Sequence, residues 1–165
     1  MARPPSSQGI YVMCRGLTSD REEEYPAAEV RFRPAAYGLY VRDGRILLGR
    51  SRFTGKWDIP GGGVEAWETL EDGMVREFWE ETGVHVRVKH LVDFREGFIA
   101  FARHPFHSLR YYYAVAGDGG EVLSPDPDEL SSVAWVGVDE IRPEECAAGD
   151  FTLIKRVVET EGKRG

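Results

Sequence analysis

The sequence predicts a mixed α/β domain, and three observations carry that prediction. β-type runs lie on both sides of one long helix-compatible stretch, Glu68 to Thr82, a pattern that suits a mixed sheet with helices packed on it. The 165 residues are 42% hydrophobic and 12% aromatic, enough to fill one core and too apolar for a disordered chain. No apolar run approaches the roughly 18 residues of a membrane span, so no membrane partner is expected.

Residues 1–9 read as a flexible tail, and Ile10–Cys14 as a short strand. Ser19–Glu24 is acidic and reads as loop; Val30–Arg33 alternates apolar and basic until Pro34 interrupts it. Ala36–Val41 and Arg45–Arg50 flank Arg42-Asp43-Gly44, whose Asp-Gly pair is a hairpin signal. Trp57–Ile59 is a short strand ended by Pro60 and three glycines. Gly83 stops the central helix. Val84–Phe94, Gly97–Ala102, Leu109–Ala116 and Ser131–Val136 read as strands, Val138–Arg142 as a helical turn and Asp150–Glu161 as a terminal helix.

Charge and cysteine usage narrow the function. Lys and Arg number 21 against 28 Asp and Glu, a net charge of −7, which excludes a duplex nucleic-acid binder with its basic face. Met1-Ala-Arg-Pro-Pro-Ser-Ser lacks the apolar core of a secretory leader. Cys14 and Cys146 stand far apart without a CxxC spacing, as reduced thiols of a cytoplasmic protein would.

Gly61 to Val84 holds seven acidic residues and a single base, Arg76. On a helix turning about 100° per residue, Glu81 lies about 40° to one side of Glu77 and Glu80 about 60° to the other. Three carboxylates on one face repel, and a hard divalent cation with oxygen ligands removes the conflict. A solvated acidic face would carry the same glutamates. Arg76 beside them, Phe78 and Trp79 among them and a glycine loop ahead of them favour a site. Gly73, inside the helix one turn before Glu77, costs roughly 1 kcal/mol against alanine, which either a close approach of the preceding loop or neutral drift would explain.

Gly62, Glu68, Arg76-Glu77-Phe78, Glu80-Glu81 and Gly83-Val84 fill every defined position of G-x5-E-x7-R-E-U-x-E-E-x-G-U, with U apolar, and in this the chain resembles the Nudix hydrolases. At average residue frequencies the chance of such a match is on the order of one in ten million. Ile46–Arg50, Trp57–Gly62 and Val133–Val136 extend the likeness over roughly residues 35 to 141. One departure is Trp67, where the family commonly has glycine.

The resemblance implies an α/β/α sandwich around a mixed β-sheet, with 10–34 as an N-terminal extension and 35–161 as the hydrolase domain. It implies metal-dependent hydrolysis of a nucleoside diphosphate linked to another group. Carried over by position, Glu77, Glu80, Glu81 and the Gly61 carbonyl would bind Mg²⁺, or Mn²⁺ in its place, while Arg76 and Glu68 would brace the loop. Glu80 is a catalytic candidate within the box. A carboxylate beyond the box, Glu129 or its neighbour Asp128 in the loop Asp126-Pro127-Asp128-Glu129, would add a ligand or base. Markers of NADH, ADP-ribose and dinucleoside polyphosphate substrates are absent, which leaves a nucleoside triphosphate or a nucleotide sugar. The alternative is a non-catalytic Nudix-fold module that senses a nucleotide; such modules can lose box carboxylates that this chain retains.

Arg33, Arg50, Arg52, Lys56 and Arg110 are candidate phosphate contacts, with ordinary surface charge as the competing reading for Arg50 and Arg52. Tyr111 and Tyr113 read either as a base sandwich or as the core face of an alternating strand. His104 and His107 read as exposed loop histidines or as a two-histidine metal site without further ligands. The two apolar runs of the extension would extend the sheet or pair across a homodimer, bringing Arg33 near a substrate.

Overall fold

The structure, a computed structural model, describes residues 9–19, 21–120, 128–147 and 149–162. The expected tail therefore lies almost wholly outside the described residues, as do Asp126 and Pro127. In chain order the elements are β1 (Tyr11–Gly16), β2 (Glu22–Pro26), β3 (Arg31–Arg42), β4 (Arg45–Ser51), β5 (Trp57–Asp58), β6 (Gly61–Gly63), α1 (Leu70–Thr82), β7 (Val86–Phe101), β8 (His104–Gly117), β9 (Leu130–Gly137) and α2 (Asp150–Glu161). Short 3-10 turns fall at Ala27–Glu29, Val138–Glu140 and Pro143–Glu145. Among the described residues, no helix is long and apolar enough to cross a membrane.

The chain divides into two compact units, Met1–Arg33 with Arg95–Leu109, and Pro34–Phe94 with Arg110–Gly165. In the second unit the strands run β7-β8-β3-β4-β5, with β6 added to β3 and β9 to β4. Alternation along the strands divides its core between two helices. Leu47 and Tyr113 pack with Met74 and Phe78 of α1; Ile46, Leu48 and Tyr112 pack with Leu153, Ile154 and Val157 of α2. The result is a mixed sheet between two helices, an α/β/α sandwich. Fully buried side chains such as Leu47 and Phe78 contribute about 1.5–3 kcal/mol each.

Helix α1 forms where its ends are satisfied and its apolar positions line up. Met74, Phe78 and Thr82, four residues apart, make its buried stripe. Thr69 is the N-cap: its hydroxyl accepts from the Asp72 amide at 3.1 Å. Gly83 closes the other end in the left-handed region, φ 71°. Thr69→Ala is expected to cost about 1 kcal/mol, read as a lower urea midpoint at unchanged m-value. The Asp-Gly hairpin is also present: Asp43 (φ 51°) and Gly44 (φ 72°) turn between the Arg42–Arg45 and Val41–Ile46 pairs.

Several elements differ from expectation. Glu68 lies ahead of α1, in the loop. β3 runs through Pro34, whose carbonyl accepts from Val64. β7 continues unbroken across Arg95 and Glu96, where two strands were expected. β6 is made of three glycines, a composition with little strand propensity, and forms because Ala35–Tyr37 of β3 supply a ladder. Glu22–Glu24, expected as loop, belong to β2, paired antiparallel with β1 from Tyr11↔Pro26 to Arg15↔Glu22.

In the first unit β1 also pairs parallel with β7 through Arg15↔Ile99 and Gly16↔Ala100. His104 and His107 lie in β8, not in a loop. His107 stacks on Phe98 at 4.6 Å, meets the edge of Phe32 at 5.3 Å and hydrogen-bonds Glu96 at 2.6 Å.

Candidate active site

The box builds its site by clamping a glycine strand and a short loop onto α1. Gly61 has φ 137°, and a Cβ there would come within 2.3 Å of the Ala36 carbonyl oxygen. At Gly62 a Cβ would lie 2.7 Å from Oε2 of Glu77, so the missing side chain is the space the carboxylate occupies. Gly73 meets the expectation of close approach: a Cβ there would crowd Val64 at 3.0 Å and Glu68 at 3.1 Å.

Arg76 ties loop and helix together. Its Nε and Nη2 donate to the two oxygens of Glu68 at 2.6 and 2.9 Å, a bidentate pair, and Nη2 also reaches the Gly63 carbonyl at 3.2 Å. Nη1 is shared between Glu77 at 2.8 Å and Glu80 at 3.2 Å. The guanidinium holds the Glu68 carboxyl down to about 2, and the carboxylates raise Arg76 further above its usual range. Glu68 closes the loop by accepting from the Glu65 amide at 3.1 Å. Trp67 is 82% exposed and has no positive φ, so the loop keeps its shape without glycine there.

The three helix glutamates are not equivalent. Glu80 is half-exposed, whereas Glu81 is 8% exposed and accepts from the Gly61 amide at 2.9 Å. Burial pushes the Glu81 carboxyl up to about 8; the negative charges of Glu129, Glu77 and Asp58 add to the rise and the Gly61 hydrogen bond opposes it. This places Glu129 within electrostatic reach of Glu81.

Asp58 escapes the sequence reading, although it stands just before Ile59-Pro60-Gly61. Burial pushes its carboxyl up to about 6, with the charge of Asp150 adding and a hydrogen bond from Ser51 opposing. Asp150 is itself buried at the start of α2. The signal was the position beside the glycine loop; the proximity of α2 to it is a tertiary fact.

The other expected contacts fall in different places. Arg50 and Arg110 share strand parity with Leu48 and Tyr112, so both side chains face the α2 side. There Tyr37 stacks on Tyr112 at 5.2 Å, and the Arg50 guanidinium lies 4.7 Å over the Trp57 ring and 3.8 Å from Glu145. Nη1 of Arg50 and Nε of Arg110 are buried without a hydrogen-bond partner. Arg52 instead holds backbone: its amide donates to Glu129 at 2.9 Å and its Nε to Leu130 at 3.2 Å. Arg33 lies in the first unit, 5.8 Å over the Phe106 ring. Tyr113 is a core residue, and Tyr111 packs beside it and on Phe94.

The donor types suit a hard divalent cation: Glu77, Glu80 and Glu81 offer carboxylate oxygens, and Glu81 carries the electrostatic stress of its acidic neighbours. Among the described residues no three such side chains enclose a cation by themselves. Magnesium keeps several waters and takes substrate oxygens, so it needs only part of its ligands from side chains.

Comparison with known proteins bears on this geometry. A family model described as NUDIX domain matches residues 31–157. A MutT-like protein of Streptomyces ambofaciens is 34% identical over 109 residues, 63% of each chain. The phosphatase NudJ of Escherichia coli K12 is 32% identical over 101 residues, 60% of this chain and 64% of that protein. This chain thus spans a little under two thirds of either relative. The crystal structure of a MutT NUDIX hydrolase from Burkholderia pseudomallei superposes with TM-score 0.61 at 26% identity, over 77% of this chain and 98% of that one. An ADP-ribose pyrophosphatase from Streptococcus suis shares the fold, with TM-score 0.62 at 18% identity, over 78% and 91%.

Proposed function

Because the chain belongs to the NUDIX domain family, we propose that it is a hydrolase of a phosphoanhydride in a nucleoside diphosphate linked to another group. A nucleoside triphosphate or a nucleotide sugar is the substrate class. The observation that carries this reading is the buried Glu81, hydrogen-bonded to Gly61 and stressed by Glu77, Glu129 and Asp58.

Glu77, Glu80, Glu81 and the Gly61 carbonyl would hold Mg²⁺, with Mn²⁺ able to substitute. The bound cation would neutralise the pyrophosphate, orient it and lower the pKa of a water. Arg76 and Glu68 keep the loop on α1, so the carboxylates stay in place as substrate arrives. Glu129, or Glu80 within the box, accepts the proton of the attacking water. On the α2 side, Arg50 and Arg110 each bury an N–H without an acceptor, a state that costs about 1–3 kcal/mol and that an oxyanion relieves. Cys14 and Cys146 are buried and not joined in a disulfide, as suits a cytoplasmic protein.

Release of phosphate or pyrophosphate, measured with Mg²⁺ across nucleoside triphosphates, nucleotide sugars and dinucleotides, tests the proposal. Turnover on the first or second class, lost in EDTA, is expected. Saturable nucleotide binding without any release would make the chain a sensing module instead.

A further inference from the structure

The first unit exposes far more apolar surface than its size warrants. Of the twelve large hydrophobic side chains exposed among the described residues, seven belong to it: Ile10, Tyr11, Met13, Leu17, Phe32, Phe98 and Phe101. Strand parity separates them. Arg15 pairs with Ile99, so Tyr11 and Met13 share a face with Phe101, opposite the buried Cys14. Leu17 continues this ladder, its amide donating to Ala100 at 3.0 Å. On the same face β2 places Pro26, Glu24 and Glu22, opposite Tyr11, Met13 and Arg15.

We propose that this face, Tyr11, Met13, Leu17 and Phe101 flanked by Arg15, Glu22 and Glu24, is where a second copy of the chain docks. The four side chains are 58, 51, 47 and 41% exposed. At about 200 Å² for a large side chain they offer roughly 400 Å². A standard interface buries about 800 Å² per partner, a little over half of it apolar, so the patch matches the apolar share of one modest dimer.

Charge selects the partner. The chain as a whole carries −7, but residues 9–33 and 95–109 hold six arginines against six acids. A neutral surface lacks the positive field that anionic lipid or nucleic acid requires. Apolar residues flanked by both signs are self-complementary, as an isologous two-fold contact demands.

Sedimentation equilibrium of the full chain tests this between about 1 and 100 μM, the range of a micromolar dimer. The mass is expected to rise from 18.6 kDa towards twice that value. Met13→Glu, Leu17→Glu and Phe101→Glu are each expected to weaken association at least about 10-fold with Tm within about 5 °C of the parent; serine replaces glutamate where the folded transition is lost. Phe32→Glu, on the opposite face with Phe98 and His107, is expected to leave association intact. A monomer throughout, association unchanged in all three variants, or a monomer that binds phosphatidylglycerol vesicles would overturn the proposal.

Discussion

In Glu81→Gln, turnover with Mg²⁺ is expected to fall at least about 100-fold while the metal-free protein gains resistance to heat at pH 8. Both effects follow from one buried carboxyl. Folding raises it from the ordinary 4.5 to about 8, chiefly by burial. Between those values the folded state binds a proton that the unfolded state has released, so its contribution to stability falls as pH rises and levels off above pH 8. Glutamine keeps the shape, can still accept from Gly61 and never ionises. The gain in Tm should therefore be small near pH 5 and largest near pH 8. Mg²⁺ must displace the proton on Glu81, so its affinity in the parent protein should climb up to about pH 8. Thermal scans at pH 5 and 8, with EDTA and with Mg²⁺, check this. Equal Tm shifts at both pH values, or near-normal turnover, would refute the assignment.

That inequality among the glutamates was not legible in the sequence. On a helical wheel Glu77, Glu80 and Glu81 occupy one face, and nothing in their spacing says that Glu81 is buried while Glu80 stays half-exposed. What was legible is what the chemistry pins to fixed spacings: the box, its glycine loop, the Glu68–Arg76 brace and the helix stop at Gly83, whereas the start of α1, capped by Thr69 and placed at Glu68 by the sequence, was not. β6 was hidden because three glycines carry no strand signal, and Ala35–Tyr37 on another strand decide their conformation. β2 was hidden because Glu22–Glu24 read as solvated loop until β1 pairs with them. The buried donors of Arg50 and Arg110 needed the facing of two strands and a helix, which no local pattern supplies. Leu130 gives the same lesson. It seats its methyl groups where a Cβ on Gly49 would come within 2.7 Å, so two ordinary residues on different strands together fix where the Glu129 loop ends.

That anchor supports the prediction for Glu129, whose replacement by glutamine is expected to lower the maximal rate roughly 10- to 1000-fold while stability stays within about 0.5 kcal/mol. The side chain is exposed, so its loss disturbs no packing. The backbone around it is held, since the Glu129 carbonyl accepts from Arg52 and Leu130 is 4% exposed. A carboxylate on such a mount can reach towards a cation held by the box. Its charge already acts on Glu81, which supports Glu129 as the candidate; Asp128 is the neighbour that one residue of loop length would exchange for it. Base and ligand roles separate in the measurement. A base leaves kcat low, removes the acidic limb of the pH–rate profile and does not raise the Mg²⁺ requirement. A ligand raises that requirement. If Glu129→Gln and Asp128→Asn both leave the rate and the acidic limb unchanged, the proton is accepted within the box. Glu80 is then the candidate, because it is the most exposed of the three helix glutamates.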